Sequence, residues 1–197
     1  MKFICYLGIL LITLIQACTN PFSTRDIETP DLQTKSDIFD QPITSEVVIS
    51  NFRYSLIQKN ISNHLACFSD PSMGYDYSYR FVPDADMDAI KFLGWNLDDE
   101  KNYLTAIFTQ SDNISLVFRD VVTFTDITQS PDSVQTNPIR YELRINFESG
   151  EEVYTGTMFL KMSKNANALW AIYYWKDTRA ETIEYRSWSN LKANKKN

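Results

Sequence analysis

The sequence predicts an α+β domain in which three N-terminal helices precede a mainly antiparallel sheet. Two observations point to this. Apolar residues recur at helical spacing between residues 44 and 108, and from residue 114 onward the period changes to two. The later segments are joined by short turn sequences such as Ser149-Gly150-Glu151, which suits antiparallel hairpins.

The first helix is expected over Thr44 to Lys59. It opens on a capping residue, places Glu46 in the first turn, and repeats Val48, Phe52 and Leu56 on one face. A second, shorter helix starts at Asn60, with Ile61, Leu65 and Phe68 on one side, and stops at Ser69-Asp70-Pro71. Tyr75 to Val82 is aromatic and alternating and reads as a strand that Pro83 ends. The third helix runs from Leu97 or Asp98 to Phe108 with Tyr103, Leu104, Ile107 and Phe108 on its face, and a short helical turn fits between Asp84 and Gly94.

In the second half Ile114, Leu116, Phe118, Val122 and Phe124 share one parity. Ile139, Tyr141, Leu143, Ile145 and Phe147 alternate with Arg140, Glu142, Arg144, Asn146 and Glu148, the pattern of a half-buried strand. Val153 to Met162 and Leu169 to Trp175 supply two more strands. In the last of these, strict alternation puts Trp170, Ile172 and Tyr174 on one face and Ala171, Tyr173 and Trp175 on the other. Asp177 is expected to end the strand through a structural polar contact.

The start of the chain carries an address. Met1 and Lys2 precede an apolar run from Phe3 to Ile15 that is broken only by Thr13. Crossing a bilayer takes about 20 apolar residues, and this run is too short. Leu14-Ile15-Gln16-Ala17-Cys18 resembles the lipobox of bacterial lipoproteins, although Gln16 is larger than usual at its position. The resemblance implies a signal segment 1–17 removed before Cys18, acyl chains such as palmitate on that cysteine, and a flexible tether over 18–43 before a domain spanning 44–197. Such a tether spans roughly 25 Å. Each buried methylene contributes about 0.8 kcal/mol, so two or three chains anchor stably. Thr19 after the cysteine, in place of aspartate, resembles the signal for release to the outer membrane.

Composition sets further bounds. Of 197 residues, 44% are hydrophobic and 14% aromatic, which excludes a disordered chain. The net charge of −6 grows more negative when Lys2 leaves, which disfavours nucleic acid as a partner. With Cys5 discarded and Cys18 acylated, Cys67 is left without a disulfide partner, and its apolar neighbours Leu65, Ala66 and Phe68 place it in the core.

The order helix, helix, strand, helix, then long antiparallel strands resembles the NTF2-like fold, also called cystatin-like or SnoaL-like, in which a curved sheet wraps the helices as a cone. Asn51-Phe52, Asn60, Ala66 and Phe68-Ser69-Asp70 are similar to the family's first two helices, leading into Tyr79-Arg80-Phe81. Trp170-Ala171-Ile172-Tyr173-Tyr174-Trp175-Lys176-Asp177 is similar to its closing strand. Ser187 to Ala193 resembles the tail of envelope lipoproteins that carry this domain. The resemblance implies a ligand- or protein-binding module of the cell envelope, taking a small apolar ligand or an envelope protein; whether it acts as a monomer or a homodimer stays open. The alternative is an isomerase or hydro-lyase with an acid or base in the cone.

Asp120 is the candidate for that acid or base, because it shares the parity of Phe118 and Val122; a bulge, or pairing with Arg119 or Arg140, is the structural alternative. Tyr141, Tyr154, Trp170 and Tyr174 are the candidates for a ligand pocket. His64 is the only histidine and is expected to be partly exposed on its short helix. The acidic run Asp84, Asp86, Asp88, Asp98, Asp99 and Glu100 lacks the glycine and terminal glutamate of a calcium loop and reads as a solvated face or helix start. No motif calls for a metal or cofactor.

Overall fold

The computed structural model describes residues 39–128, 130–180 and 186–195. The chain parts into two units, 1–35 and 36–197, and every described residue belongs to the second. Residues 1–38, which hold the expected signal segment, Cys18 and most of the expected tether, lie outside the described residues.

Thr44 caps α1 (Ser45–Ile57) by accepting the Val47 N–H, and the buried face carries Val48, Phe52 and Leu56. Asn60 caps α2 (Ile61–Leu65) through the Asn63 N–H at 3.0 Å. Asn96 opens α3 (Leu97–Gln110) with a capping box: its side chain accepts from Asp98 and Asp99, and the Asp99 carboxylate accepts the Asn96 N–H. All three helices stand where expected, and Ala89–Phe92 forms the short turn between them as a 3-10 helix.

Residues 39–43, read from sequence as the end of the tether, lie against the domain. Asn51 joins Asp40 through its side-chain amide, and the Trp170 N–H donates to the Pro42 carbonyl at 2.7 Å.

Seven strands make one curved, unclosed sheet: β1 (Arg80–Val82), β2 (Ser111–Phe118), β3 (Phe124–Ile127), β4 (Ser130–Thr136), β5 (Ile139–Phe147), β6 (Gly150–Lys164) and β7 (Trp170–Arg179). β1 pairs with β7 in parallel, and every other pairing is antiparallel. β5 and β4 share one edge of the long β6, and β2 and β3 pair outside them. In effect β2–β3 and β4–β5 are two long strands, each interrupted once. Pro138 cannot donate to the ladder, and Asn137 bridges the gap by accepting the Thr123 N–H and donating to the Val121 carbonyl.

The expected strand Tyr75–Val82 is shorter in the structure, three residues at the edge beside β7. β5 is as read: Ile139, Tyr141, Leu143 and Ile145 are buried, while Arg140, Arg144 and Asn146 are exposed. Glu142 sits between Arg119 and Arg144 on the solvent side. Leu143→Ala is therefore expected to cost about 2–5 kcal/mol in urea denaturation. Glu142→Ala should stay within about 1 kcal/mol, as exposed ion pairs contribute little. Similar costs on the two faces would contradict this register.

β7 departs from strict alternation. Lys161 pairs with Tyr174 and Met162 with Ile172, so Tyr173 is one residue too many for its partner strand. The bulge turns both Ile172 and Trp175 inward, where each is fully buried, instead of placing them on opposite faces. Asp177 follows them inward and the strand continues past it to Arg179, so Asp177 does not end it.

A fourth helix, α4 (Trp188–Lys195), was not expected from the sequence. Its Trp188, Leu191 and Lys192 are buried between α1, α3 and the inner face of the sheet. The Trp188 ring lies 4.8 Å from Trp175, 5.3 Å from Tyr141 and 5.7 Å from Phe52, centroid to centroid.

Candidate functional site

The groups with chemical capacity meet inside the curved sheet, where α4 brings its polar residues against carboxylates of α3 and β7. Burial disfavours charge, so each such group needs a partner. Asp177 has three: the Tyr141 hydroxyl donates to Oδ1 at 2.7 Å, and the Ser189 N–H and hydroxyl donate to Oδ2 at 2.7 and 2.6 Å. The Tyr141 hydroxyl in turn accepts the Trp188 N–H at 2.8 Å, tying the start of α4 to β5. Burial raises the Asp177 carboxyl above its ordinary value, against these hydrogen bonds, which lower it.

Glu100 is the second buried carboxylate. Its Oε1 accepts from the Tyr79 hydroxyl at 2.6 Å, from the Trp95 indole N–H at 2.7 Å, and from the Lys192 ammonium. Glu100 and Lys192 are both wholly inaccessible to solvent. Burial pulls the Lys192 ammonium down to about 8, opposed by the attraction of Glu100. Tyr79, Tyr103 and Tyr141 are held well above the ordinary phenol value, first by burial and then by the neighbouring carboxylates. Asp177, Glu100 Oε1, Tyr79, Tyr141 and Lys192 are held in mutual contacts inside the sheet.

His64 is fully buried, not partly exposed as its short helix suggested. α2 packs it between Phe52 and Phe68, with Nδ1 2.9 Å from the Ser55 hydroxyl. Burial, and then the charge of Lys192, lowers it to about 3. The unfolded chain therefore binds a proton that the folded chain refuses. Its contribution to stability is complete above about pH 6.5 and is lost progressively as pH falls toward 3. Thermal or urea denaturation of the wild type should lose up to about 1.4 kcal/mol per pH unit in that window. His64→Phe should lack this component, and an unchanged slope in that variant would refute it.

Asp120 follows β2 at the interruption and does not enter the interior. Its carboxylate accepts the Arg140 N–H at 2.7 Å and pairs with the Arg140 guanidinium at 2.6 Å. Hydrogen bonds from Arg140 hold it below the usual carboxylate value. The break after Phe118 is the physical reason, since it ends the strict alternation that the parity argument assumed.

The four pocket candidates do not surround one cavity. Tyr141 is committed to Asp177 and Trp188. Tyr154 is buried, donates to Glu152, and stacks under the Arg186 guanidinium at 5.0 Å. Trp170 is covered by the Lys164 ammonium at 4.9 Å. Tyr174 is on the outer face beside Phe159, with the Lys161 ammonium 5.4 Å from its ring.

The acidic run is built into the fold and is not a solvated face throughout. Asp84 is buried and accepts the N–H groups of Asp86 and Arg179, Asp88 and Asp99 serve helix starts, and Glu100 is interior. Among the described residues no group of three or more His, Cys, Asp or Glu side chains could hold a metal ion. Cys67 is buried, with its thiol donating to the Asn63 carbonyl and burial pushing it well above its ordinary value.

No family model and no curated protein matches the chain significantly. Solved structures do match in shape. A putative dehydratase from the NTF2-like family of Streptomyces avermitilis aligns with a TM-score of 0.54 and 9% identity, covering 70% of this chain and 94% of that one. A putative scytalone dehydratase from Novosphingobium aromaticivorans gives 0.52 and 15%, covering 72% and 85%. An NTF2-like protein of unknown function in nutrient uptake from Rhodospirillum rubrum gives 0.51 and 9%, covering 68% and 97%.

The fold is the NTF2-like cone.

In this NTF2-like cone the interior is filled by the chain's own C-terminal helix. The void left among Leu56, Leu104, Ile114, Leu143, Trp188 and Leu191 is only about 10 Å³, too small for an organic ligand. Larger clefts lie elsewhere and are open to solvent. One of about 700 Å³ lies between the end of α3 and the β5–β6 turn, lined by Gln110, Ser111, Asp112 and Glu148 among others. Another of about 560 Å³ lies where Arg119, Arg140, Thr157 and Arg179 meet.

The residues that sequence reasoning missed are Glu100 and Lys192. The one local signal for them is the spacing of Trp188, Leu191 and Lys192, which puts a tryptophan and a lysine four residues apart on one helical face.

Proposed function

We propose that this chain is a lipid-anchored protein of the bacterial envelope whose NTF2-like domain is a binding module for another envelope protein. The observation that carries the choice of a module over an enzyme is the filled cone. An isomerase or hydro-lyase needs an acid or base open to a cavity. Here Asp177 and Glu100 are enclosed with their partners, and Asp120 pairs with Arg140 away from the interior. The two putative dehydratases among the structural neighbours share the fold alone with this chain. Recognition then falls to the surface, where charged and hydroxyl side chains line open clefts suited to a macromolecular partner.

The anchor rests on the lipobox-like Leu14 to Cys18, and Thr19 favours the outer membrane. A net acidic domain on a tether can stand clear of an anionic bilayer while its acyl chains remain inserted. In cells fed a radioactive or clickable palmitate, the wild type should take up label. Cys18→Ala should take up none and should accumulate as the uncleaved precursor. Equal labelling of the two would overturn the anchor. For the module, native mass spectrometry of protein extracted from its own membranes should show the acylated chain with a bound polypeptide. A tightly held small organic molecule in its place would reverse the choice of partner.

A further inference from the structure

The surroundings of Lys192 have the composition of a receptor for an ammonium group. Its Nζ lies 3.9 Å from the ring centroid of Phe81, 4.1 Å from that of Trp175, 5.0 Å from that of Tyr103 and 5.2 Å from that of Trp95. Four π faces within 6 Å of one cation make a cage of the kind that binds organic ammonium ions. The Glu100 carboxylate supplies the counter-charge, and the Tyr79 hydroxyl lies 3.5 Å from Nζ.

All six groups belong to the scaffold. Phe81 is on β1, Trp175 on β7, and Glu100 and Tyr103 on α3, with Tyr79 and Trp95 in the adjoining segments. None of them comes from α4. Contacts independent of Lys192 also hold the walls in place: Glu100 receives Tyr79 and Trp95, Phe81 packs on Trp95 and Trp175, and Trp95 packs on Tyr103. The cage is thus preorganised, and its occupant arrives on a separate helix. An ordinary core position would be served by leucine or methionine, without the cost of desolvating a cation.

We propose that the interior of the cone is a binding site for a primary alkylammonium group, and that Lys192 is its tethered occupant. Primary is favoured over quaternary ammonium because Glu100 takes a hydrogen bond from the nitrogen, which a fully methylated nitrogen cannot give.

The test removes the occupant and supplies the missing fragment. Lys192→Ala keeps Cβ, so propylammonium replaces the atoms lost. In thermal denaturation at fixed ionic strength and pH 7, propylammonium should raise the midpoint of Lys192→Ala saturably. The rise should be roughly 5–10 °C at a hundredfold excess over Kd. Tetramethylammonium and 1-propanol should do much less, and the wild type, whose cage is filled, should not respond. Lys192→Met, which fills the same volume with an apolar chain, should not respond either. Equal shifts with amine and alcohol, a wild-type shift as large as that of the variant, or no shift at all would overturn the proposal. Should Lys192→Ala fail to fold alone, refolding from urea becomes the readout. Recovery with propylammonium but not 1-propanol upholds the site, and recovery with neither, or equally with both, overturns it.

Discussion

Trp188→Ala is expected to destabilise the domain by about 3–5 kcal/mol, read as a lower urea midpoint at constant slope. Trp188 has no solvent exposure, and its ring meets Trp175, Tyr141 and Phe52. Truncation removes the largest side chain that α4 contributes and leaves a void walled by β5, β7 and α1. Those walls are themselves held by strand pairing and by aromatic packing, so they can close only in part. The void should be apolar enough to take up indole or benzene, with partial recovery of stability. Trp188→Phe should cost distinctly less, because most of the ring area remains. A loss below about 1 kcal/mol for Trp188→Ala would show that α4 is a surface appendage, and the filled cone would fall with it.

How far such a structure can be read from its sequence depends on whether each segment has a wet side. β5 has one, so Arg140, Glu142, Arg144 and Asn146 disclose the phase of Ile139 to Ile145 without ambiguity. α1 announces itself through the capping Thr44, and α3 through the face that carries Tyr103, Leu104, Ile107 and Phe108, whereas its Asn96 cap shows only in the structure. β7 has no such reporter. Ala171 to Trp175 is apolar or aromatic at every position, so neither parity is marked and the extra residue at Tyr173 leaves no trace in the pattern. β3 and β4 are short, polar and broken from their neighbours at Thr123 and Pro138, which hides two long strands behind apparent loops.

The interior polar groups fail to show for a different reason. Lysine, glutamate and histidine are ordinarily solvated, and only tertiary partners make Lys192, Glu100 and His64 tolerable inside. α2 has five residues, too few to display a periodicity that would have placed His64 inward. The candidate chemistry at Asp120 was an inference from parity across a break, and the break is where parity loses its meaning.

Asp177→Ala is expected to be the most costly polar substitution outside the Glu100–Lys192 pair, at about 3–5 kcal/mol. The carboxylate receives Tyr141 from β5 and both donors of Ser189 from α4, and it lies at zero exposure on β7. It therefore joins three elements through one group, and Tyr141 extends the connection to the Trp188 N–H. Alanine strands these donors where water cannot replace the lost acceptor. Asparagine keeps one acceptor oxygen but turns an amide N–H₂ toward the remaining donors, so Asp177→Asn should fall between alanine and wild type. Because the effect arises from closure of α4 over the sheet, it should appear equally in the Cys18→Ala background. Urea denaturation of the three forms decides the matter: if Asp177→Asn and Asp177→Ala both stay within about 0.5 kcal/mol of wild type, Asp177 does not hold the helix, and a role in binding must be sought for it instead.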